Sequence, residues 1–309
     1  NSFVYVTLLR VFMYSQVASI SAPVFILVII GFIIAKFNIE LHQKTLGFLL
    51  THIGSPCLIF YILASTKPNI NILIEIGIAA ILVTFLASVI SFILLKIRKE
   101  KISPYFSCLI HPNSANLALP LSILTYGEKG LLYAIPYYVF IAFSQNTIGY
   151  AVILGSLNLY TFLYHPVFIM SILGCLVMFM DISIYKSILT TTKFLGDIVV
   201  PLSLLLLGYS LSNVNIGNLK KACFYSLARI IIGTISGLLT IYLLNLSNAK
   251  AGVVMIMAIM PVAILNYIFS VQTNKDPETV GGLVVVSTIM TLLILPIILG
   301  LILNFYPLS

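Results

Sequence analysis

The chain has 309 residues, of which 61% are apolar and only 8% charged, with a net charge of +8 and a mean hydropathy of +1.15. Soluble domains carry about 25% charged residues, so most of this chain has lipid for solvent. In lipid every backbone N–H and C=O must be paired inside the protein, which leaves helices or closed barrels. The near-continuous apolar runs 24–34, 78–95 and 283–303 lack the alternation of barrel strands, so the expected class is an all-α polytopic membrane protein.

Residues 1–18 form an apolar lead-in that carries Arg10 and lacks the basic start and small-residue cleavage site of a secretory signal. It is either interfacial or an extension of the first helix. Crossing ~30 Å of hydrocarbon takes about 20 helical residues. On that ruler ten helices are expected at 20–37, 45–65, 70–97, 104–125, 131–157, 162–180, 188–212, 219–246, 249–271 and 279–304. Ser103-Pro104 and Asp276-Pro277-Glu278 read as helix starts, with a capping side chain followed by a first-turn proline.

The basic residues set orientation rather than mark a nucleic-acid partner. Nine (Lys36, Lys44, Lys96, Arg98, Lys99, Lys101, Lys220, Lys221, Lys275) follow odd-numbered helices, and six (Arg10, Lys67, Lys129, Lys186, Lys193, Lys250) lie on the other side. Both termini are therefore expected to be extracytoplasmic. Cys57, Cys108, Cys175 and Cys223 sit in apolar runs without metal-ligand spacing, as do His42, His52, His111 and His165, so neither metal nor cofactor is expected.

An internal repeat organises the spans. Pro23-Val-Phe-Ile-Leu-Val-Ile-Ile-Gly31 recurs as Pro166-Val-Phe-Ile-Met-Ser-Ile-Leu-Gly174, six of nine positions identical at an offset of 143, and Pro56 answers Pro201 at nearly the same offset. Five helices between copies is an odd number, so the second copy runs the opposite way. The expected domains are the lead-in 1–18, a first five-helix repeat 19–158 and an inverted second repeat 159–309.

The fourth span reads Cys108-Leu-Ile-His-Pro-Asn-Ser-Ala-Asn-Leu-Ala-Leu-Pro120. Pro112 and Pro120 each remove a backbone donor, so an interruption is expected mid-span, with a half-helix starting near Leu117–Pro120. Asn113, Ser114 and Asn116 can repair the freed backbone or hold a ligand, and a helix N-terminus there favours an anion. The ninth span matches it with Pro261 and Asn266. Paired interrupted helices in corresponding places point to a midplane site. The remaining intramembrane polar groups are Gln145, Asn146, Asp197 and Arg229, with His111 beside the break as a proton-sensitive candidate. Asp197 and Arg229 are candidates for charge coupling, or else groups satisfied structurally. Tyr137, Tyr138 and Tyr267 read as packing.

These motifs resemble a family. His111-Pro-Asn-Ser-Ala-Asn-Leu-Ala-Leu-Pro-Leu-Ser-Ile-Leu-Thr-Tyr-Gly127, Pro201-Leu-Ser-Leu-Leu-Leu-Leu-Gly208, and Pro261-Val-Ala-Ile-Leu-Asn-Tyr-Ile-Phe269 followed by Asp276 and Leu295-Pro296 are similar, in order, to motifs of the auxin efflux carrier family. That family includes malate permeases and PIN-formed carriers. The resemblance implies the bile-acid-carrier/sodium-proton-antiporter-like fold. Scaffold helices would be 1, 2, 6 and 7, with transport helices 3–5 and 8–10 and crossed helices 4 and 9. It further implies elevator movement of an organic anion, such as malate or an auxin-like acid. Asn113 falls at the family's crossover asparagine, and Pro120 and Pro261 at its crossover prolines. Ala115 and Ala118 replace the usual glycines and Asn266 a proline of plant members, which counts against plant-type specificity. Protons and a homodimer through the scaffold helices are further expected partners, in the plasma membrane.

Two other readings compete. A sodium-coupled bile-acid-type symporter needs carboxylates at the crossover, and none occurs at 104–127 or 249–275. An intramembrane aspartyl protease needs two carboxylates sharing a proton. Phe194-Leu-Gly-Asp197 lacks the first glycine of the required Gly-x-Gly-Asp, and Asp181 lies at an expected helix end.

Overall fold

The computed structural model describes residues 2–154, 163–211 and 217–307, which are helical almost throughout. In order, α1 is Ser2–Lys36. The next, α2 (43–66), joins Gln43–Phe48 and Ser55–Thr66 through a π turn at Leu49–Gly54. Then come α3 (Ile70–Ile97), α4 (Ile102–Ile110) and α5 (114–126), which opens with a π turn at Ser114–Ala118. Next is α6 (128–154), which contains a π turn at Gln145–Gly149, and α7 (Pro166–Phe179). α8 (186–211) combines Lys186–Asp197 and Val199–Leu211. The last are α9 (Leu219–Leu243), α10 (Asn248–Ile259), α11 (Ile264–Thr273) and α12 (Pro277–Phe305). Among the described residues there is no strand. The lead-in is helical and continuous with the first span, so it extends that helix. The expected ends at 157, 162 and 212, and the repeat boundary at 158–159, lie outside the described residues.

Among the described residues, six helices are long and apolar enough to cross a membrane: 17–36 of α1, 45–66 of α2, α3, α8, α9 and α12. Their starts follow local chemistry. The Asn69 and Asn218 side chains accept from the N–H groups of Asn71 (2.9 Å) and Lys221 (3.0 Å), and Pro166 fits the first turn of α7. Asp276 stands at the N-cap of α12, where its carboxylate accepts from Tyr105 instead of capping the helix with its side chain. Gly127 separates α5 from α6 with φ 62° and ψ −146°, a conformation closed to side-chain-bearing residues. Inside the spans, many hydroxyls bond the carbonyl one turn back, as Thr84 does to Ala80 and Ser171 to Val167, which satisfies them without water.

Packing sets two layers. α1 crosses α8 so closely that a Cβ at Gly31 would lie 2.0 Å from the Leu205 carbonyl and one at Gly208 1.9 Å from the Val28 carbonyl. α7 lies on α2, with Gly174 against Leu63. α10 is buried from Ala251 to Ile259, enclosed by α3, α5, α9 and α12. Large apolar side chains on α1, α3, α7, α9 and α12, such as Ile29, Phe85, Leu176, Ile231 and Leu293, face outward to lipid.

Polar ties join connections that alternate between the two ends of the bundle. Lys221 pairs with Glu100 (2.9 Å), linking the first turn of α9 to the connection after α3. Lys67 pairs with Asp181, and Lys250 with Glu75, at the other end. Asp181 is exposed, and the hydrogen bond from Lys67 holds its carboxyl below the ordinary value.

Candidate functional site

α4 and α10 both end at the centre of the bundle, and α5 and α11 begin there. The intervening residues 111–113 and 260–263 meet. Pro112 and Val262 form an isolated antiparallel bridge. The Asn113 N–H donates to the Pro261 carbonyl (2.7 Å), and the Ala263 N–H donates to that of His111 (3.3 Å). Ser287 of α12 accepts from the Val262 N–H (3.1 Å). Each interruption thus repairs the other's freed backbone, as an interior without water requires.

The second half of the fourth span starts at Ser114, earlier than the sequence expectation of 117–120. Pro120 lies outside the bridge, one residue into the regular helix that follows the π turn. Its missing N–H leaves the Asn116 carbonyl without the usual donor, and the turn before it widens to π geometry. Pro56 stands in the same relation to the π turn of α2.

Asn113 is 2% exposed, and its side-chain oxygen accepts from the Asn116 N–H (3.4 Å) while its Nδ2 has no partner. Ser114 is buried beside it and Asn116 is half-buried. Asn266 is fully buried but engaged: its Oδ1 accepts from Ser107 Oγ (2.6 Å). Ser107 Oγ also meets His111 Nδ1 (3.0 Å), and His111 Nε2 meets Ser144 Oγ (3.0 Å). One proton assignment satisfies this chain. Ser107 donates to Asn266 and accepts from His111 Nδ1–H, and Ser144 donates to Nε2. Sequence reading missed Ser107 and Ser144, since single serines on apolar helices carry no spacing signal. Gln145, next to Ser144, and Tyr137 are buried, with Nε2 and the hydroxyl unpaired.

Asp197 and Arg229 are not brought together. Asp197 pairs with Lys193 on its own helix (2.8 Å), and the two side chains are 53% and 44% exposed. It lies at a cavity of about 290 Å³ between α2, α5, α6 and α8, whose walls include Leu58, Leu119, Ile123, Leu131 and Val199. Asp181 and Asp197 each have their own lysine, so they do not form the shared-proton pair a protease needs. Arg229 is 1% exposed and donates from Nη2 to the Ala258 carbonyl (2.9 Å).

Long apolar helices around an interrupted, polar centre are the build of an integral membrane protein. Residues 152–299 match the family model described as membrane transport protein. An uncharacterized transporter of Methanocaldococcus jannaschii is 24% identical over 293 residues, 88% of this chain and 94% of that protein. Both similarities are to membrane transport proteins, in keeping with the carrier family that the motifs resemble.

Proposed function

We propose that the chain is a secondary transporter of an organic anion, and that the carboxylate of the anion docks at the bridged interruption. One observation carries the reading. Asn113 offers a buried, unpaired Nδ2 donor at the start of α5, where a helix N-terminus is electropositive. Ser114 and Asn116 stand on the same turn and complete the contact, while Asn266 acts as a strut through Ser107.

The rest of the reading builds on the fold. α4 with α5, and α10 with α11, count as one interrupted span each, which gives ten spans in two inverted repeats. Pairwise packing supports the inversion: α1 on α8 answers α7 on α2, with Gly31 and its repeat counterpart Gly174 each at a crossing. α1, α2, α7 and α8 then form the scaffold and dimer face. The other helices carry the site past them in an elevator movement, and the apolar cavity beside α5 is a path for the organic body of the anion. The cargo class is a carboxylate such as malate or an auxin-like acid. The protein resides in the plasma membrane with both termini outside.

The test is uptake of a labelled carboxylate panel into proteoliposomes under imposed sodium, proton and voltage gradients. Wild-type protein concentrates at least one carboxylate. Asn113→Ala raises the half-saturating concentration about tenfold, the size of a lost hydrogen bond to a charged group. Uptake unchanged by Asn113→Ala sinks the site, and no uptake under any gradient sinks the function.

A further inference from the structure

Arg229 is a charge without a counter-charge. It is the eleventh residue of α9 and sits well inside the span. All eight acids of the chain lie elsewhere. Glu75, Glu100, Asp181 and Asp197 are paired with lysines, and Asp276 takes the Tyr105 hydroxyl. Glu40 lies in a connection, Glu128 opens α6, and Glu278 lies in the first turn of α12. The groups facing Arg229 include no carboxylate: the Ala258 carbonyl of α10, Tyr137 of α6 and His111 at the end of α4. Space for the guanidinium comes from the next turn of its own helix. A Cβ on Gly233 would lie 2.9 Å from Arg229 Nη1 and 2.1 Å from the Ala258 carbonyl.

The location explains the charge. α4 and α10 bring two helix C-termini to the same centre, and each leaves carbonyls unpaired and carries a partial negative charge. Ala258 belongs to the last turn of α10, so Arg229 bonds one of those ends directly. The buried polar atoms left without partners include three that can only donate, Arg229 Nε, Asn113 Nδ2 and Gln145 Nε2, together with the Tyr137 hydroxyl. A centre with spare donors and no carboxylate leaves a metal ion carbonyl ligands alone, and its positive charge is already supplied by Arg229.

We propose that Arg229 is the crossover's built-in cation. It neutralises the carbonyl ends of α4 and α10, so that the anion site is complete without a co-bound metal ion and meets the docking carboxylate without a net negative charge of its own. Arg229 acts here as a positioning residue, through the helix ends and the field at Asn113. The inference rests on the carboxylate reading above but is tested separately from it.

The first arm uses labelled malate and labelled indole-acetate in proteoliposomes. Replacing sodium by choline leaves wild-type uptake within about twofold. Arg229→Gln raises the half-saturating concentration about tenfold or more, whereas Arg229→Lys, which keeps the charge, recovers most of the loss. The second arm needs no carboxylate: thermal unfolding of the purified proteins in detergent. The wild-type midpoint is the same in sodium and choline, Arg229→Gln unfolds at lower temperature, and Arg229→Lys lies between. Several-fold sodium stimulation of wild-type uptake overturns the proposal, as does Arg229→Gln with wild-type affinity. So does equivalence of Gln and Lys in the melting arm, including the case where neither folds. If the wild-type protein takes up neither anion, the carboxylate reading is in question, and the melting arm still decides Arg229.

Discussion

At the residue scale the central polar groups divide by whether their hydrogen-bonding capacity is spent. Ser107 spends both lone pair and proton, on His111 and Asn266, and holds α4 to α11. Ser107→Ala strands two buried groups, so it should cost about 1–3 kcal/mol. The expected result is a lower unfolding temperature in detergent with little change in the half-saturating concentration of the transported anion. Asn113 is the reverse case. Its side chain makes one long bond of 3.4 Å and keeps a free donor, so Asn113→Ala should alter affinity far more than stability. A pair of variants with the opposite pattern would exchange the two roles. The sequence made Asn113 conspicuous because prolines flank it, but it gave no reason to separate Asn113 from Asn266. Only the position of Ser107, 159 residues away from Asn266, shows that one amide is occupied.

At the element scale glycines fix how closely helices cross. Gly31 and Gly208 are each other's condition: every substituent at either position meets backbone of the opposite helix within 2.0 Å. Gly31→Ala and Gly208→Ala should each separate α1 from α8 and lose folded protein, read as loss of the monodisperse peak in size-exclusion chromatography. Gly77 in α3 is the control, since a Cβ there meets nothing within 4 Å. Gly77→Ala should raise stability by about 0.5–1 kcal/mol through helix propensity alone. The π turns belong to this scale too. Pro120 was legible as an interruption and Pro56 only as a member of the repeat, and the choice between a kink, a break and a widened turn depends on what accepts and donates around the loosened carbonyls. That is settled by neighbouring helices. Hence α5 begins at Ser114, ahead of the proline, because the bridge to Pro261 already satisfies the Asn113 N–H.

For the whole molecule, the ties between connections constrain the threading. Glu100 with Lys221, and Lys67 with Asp181, join opposite ends of the bundle. In a background without the four native cysteines, Lys67→Cys should react with a membrane-impermeant maleimide on intact cells, and Lys99→Cys only after permeabilisation. Labelling of both from one side would overturn the proposed topology. The exposed Lys67–Asp181 pair adds little stability. Because the carboxyl of Asp181 is held below its ordinary value, that contribution is present above the unfolded-state value and is lost as pH falls through the folded one. Asp181→Asn should therefore differ from wild type in unfolding temperature only slightly, by the same amount at neutral pH and at about pH 5, with the difference fading only at lower pH.

Much of this protein is decided along the chain. Continuous apolar runs force helices, because lipid supplies no partner for the backbone, and prolines with amides in the fourth and ninth runs force interruptions. These are local rules, and residues such as Asn69, Gly127 and Pro166 execute them within a few positions. What only the tertiary structure decided is how the two interruptions satisfy each other. Pro112 meets Val262, Ser107 occupies Asn266, and Arg229 reaches Ala258. Those pairings join residues 29 to 159 positions apart, and they depend on glycine-sized gaps between helices that the apolar pattern leaves unspecified.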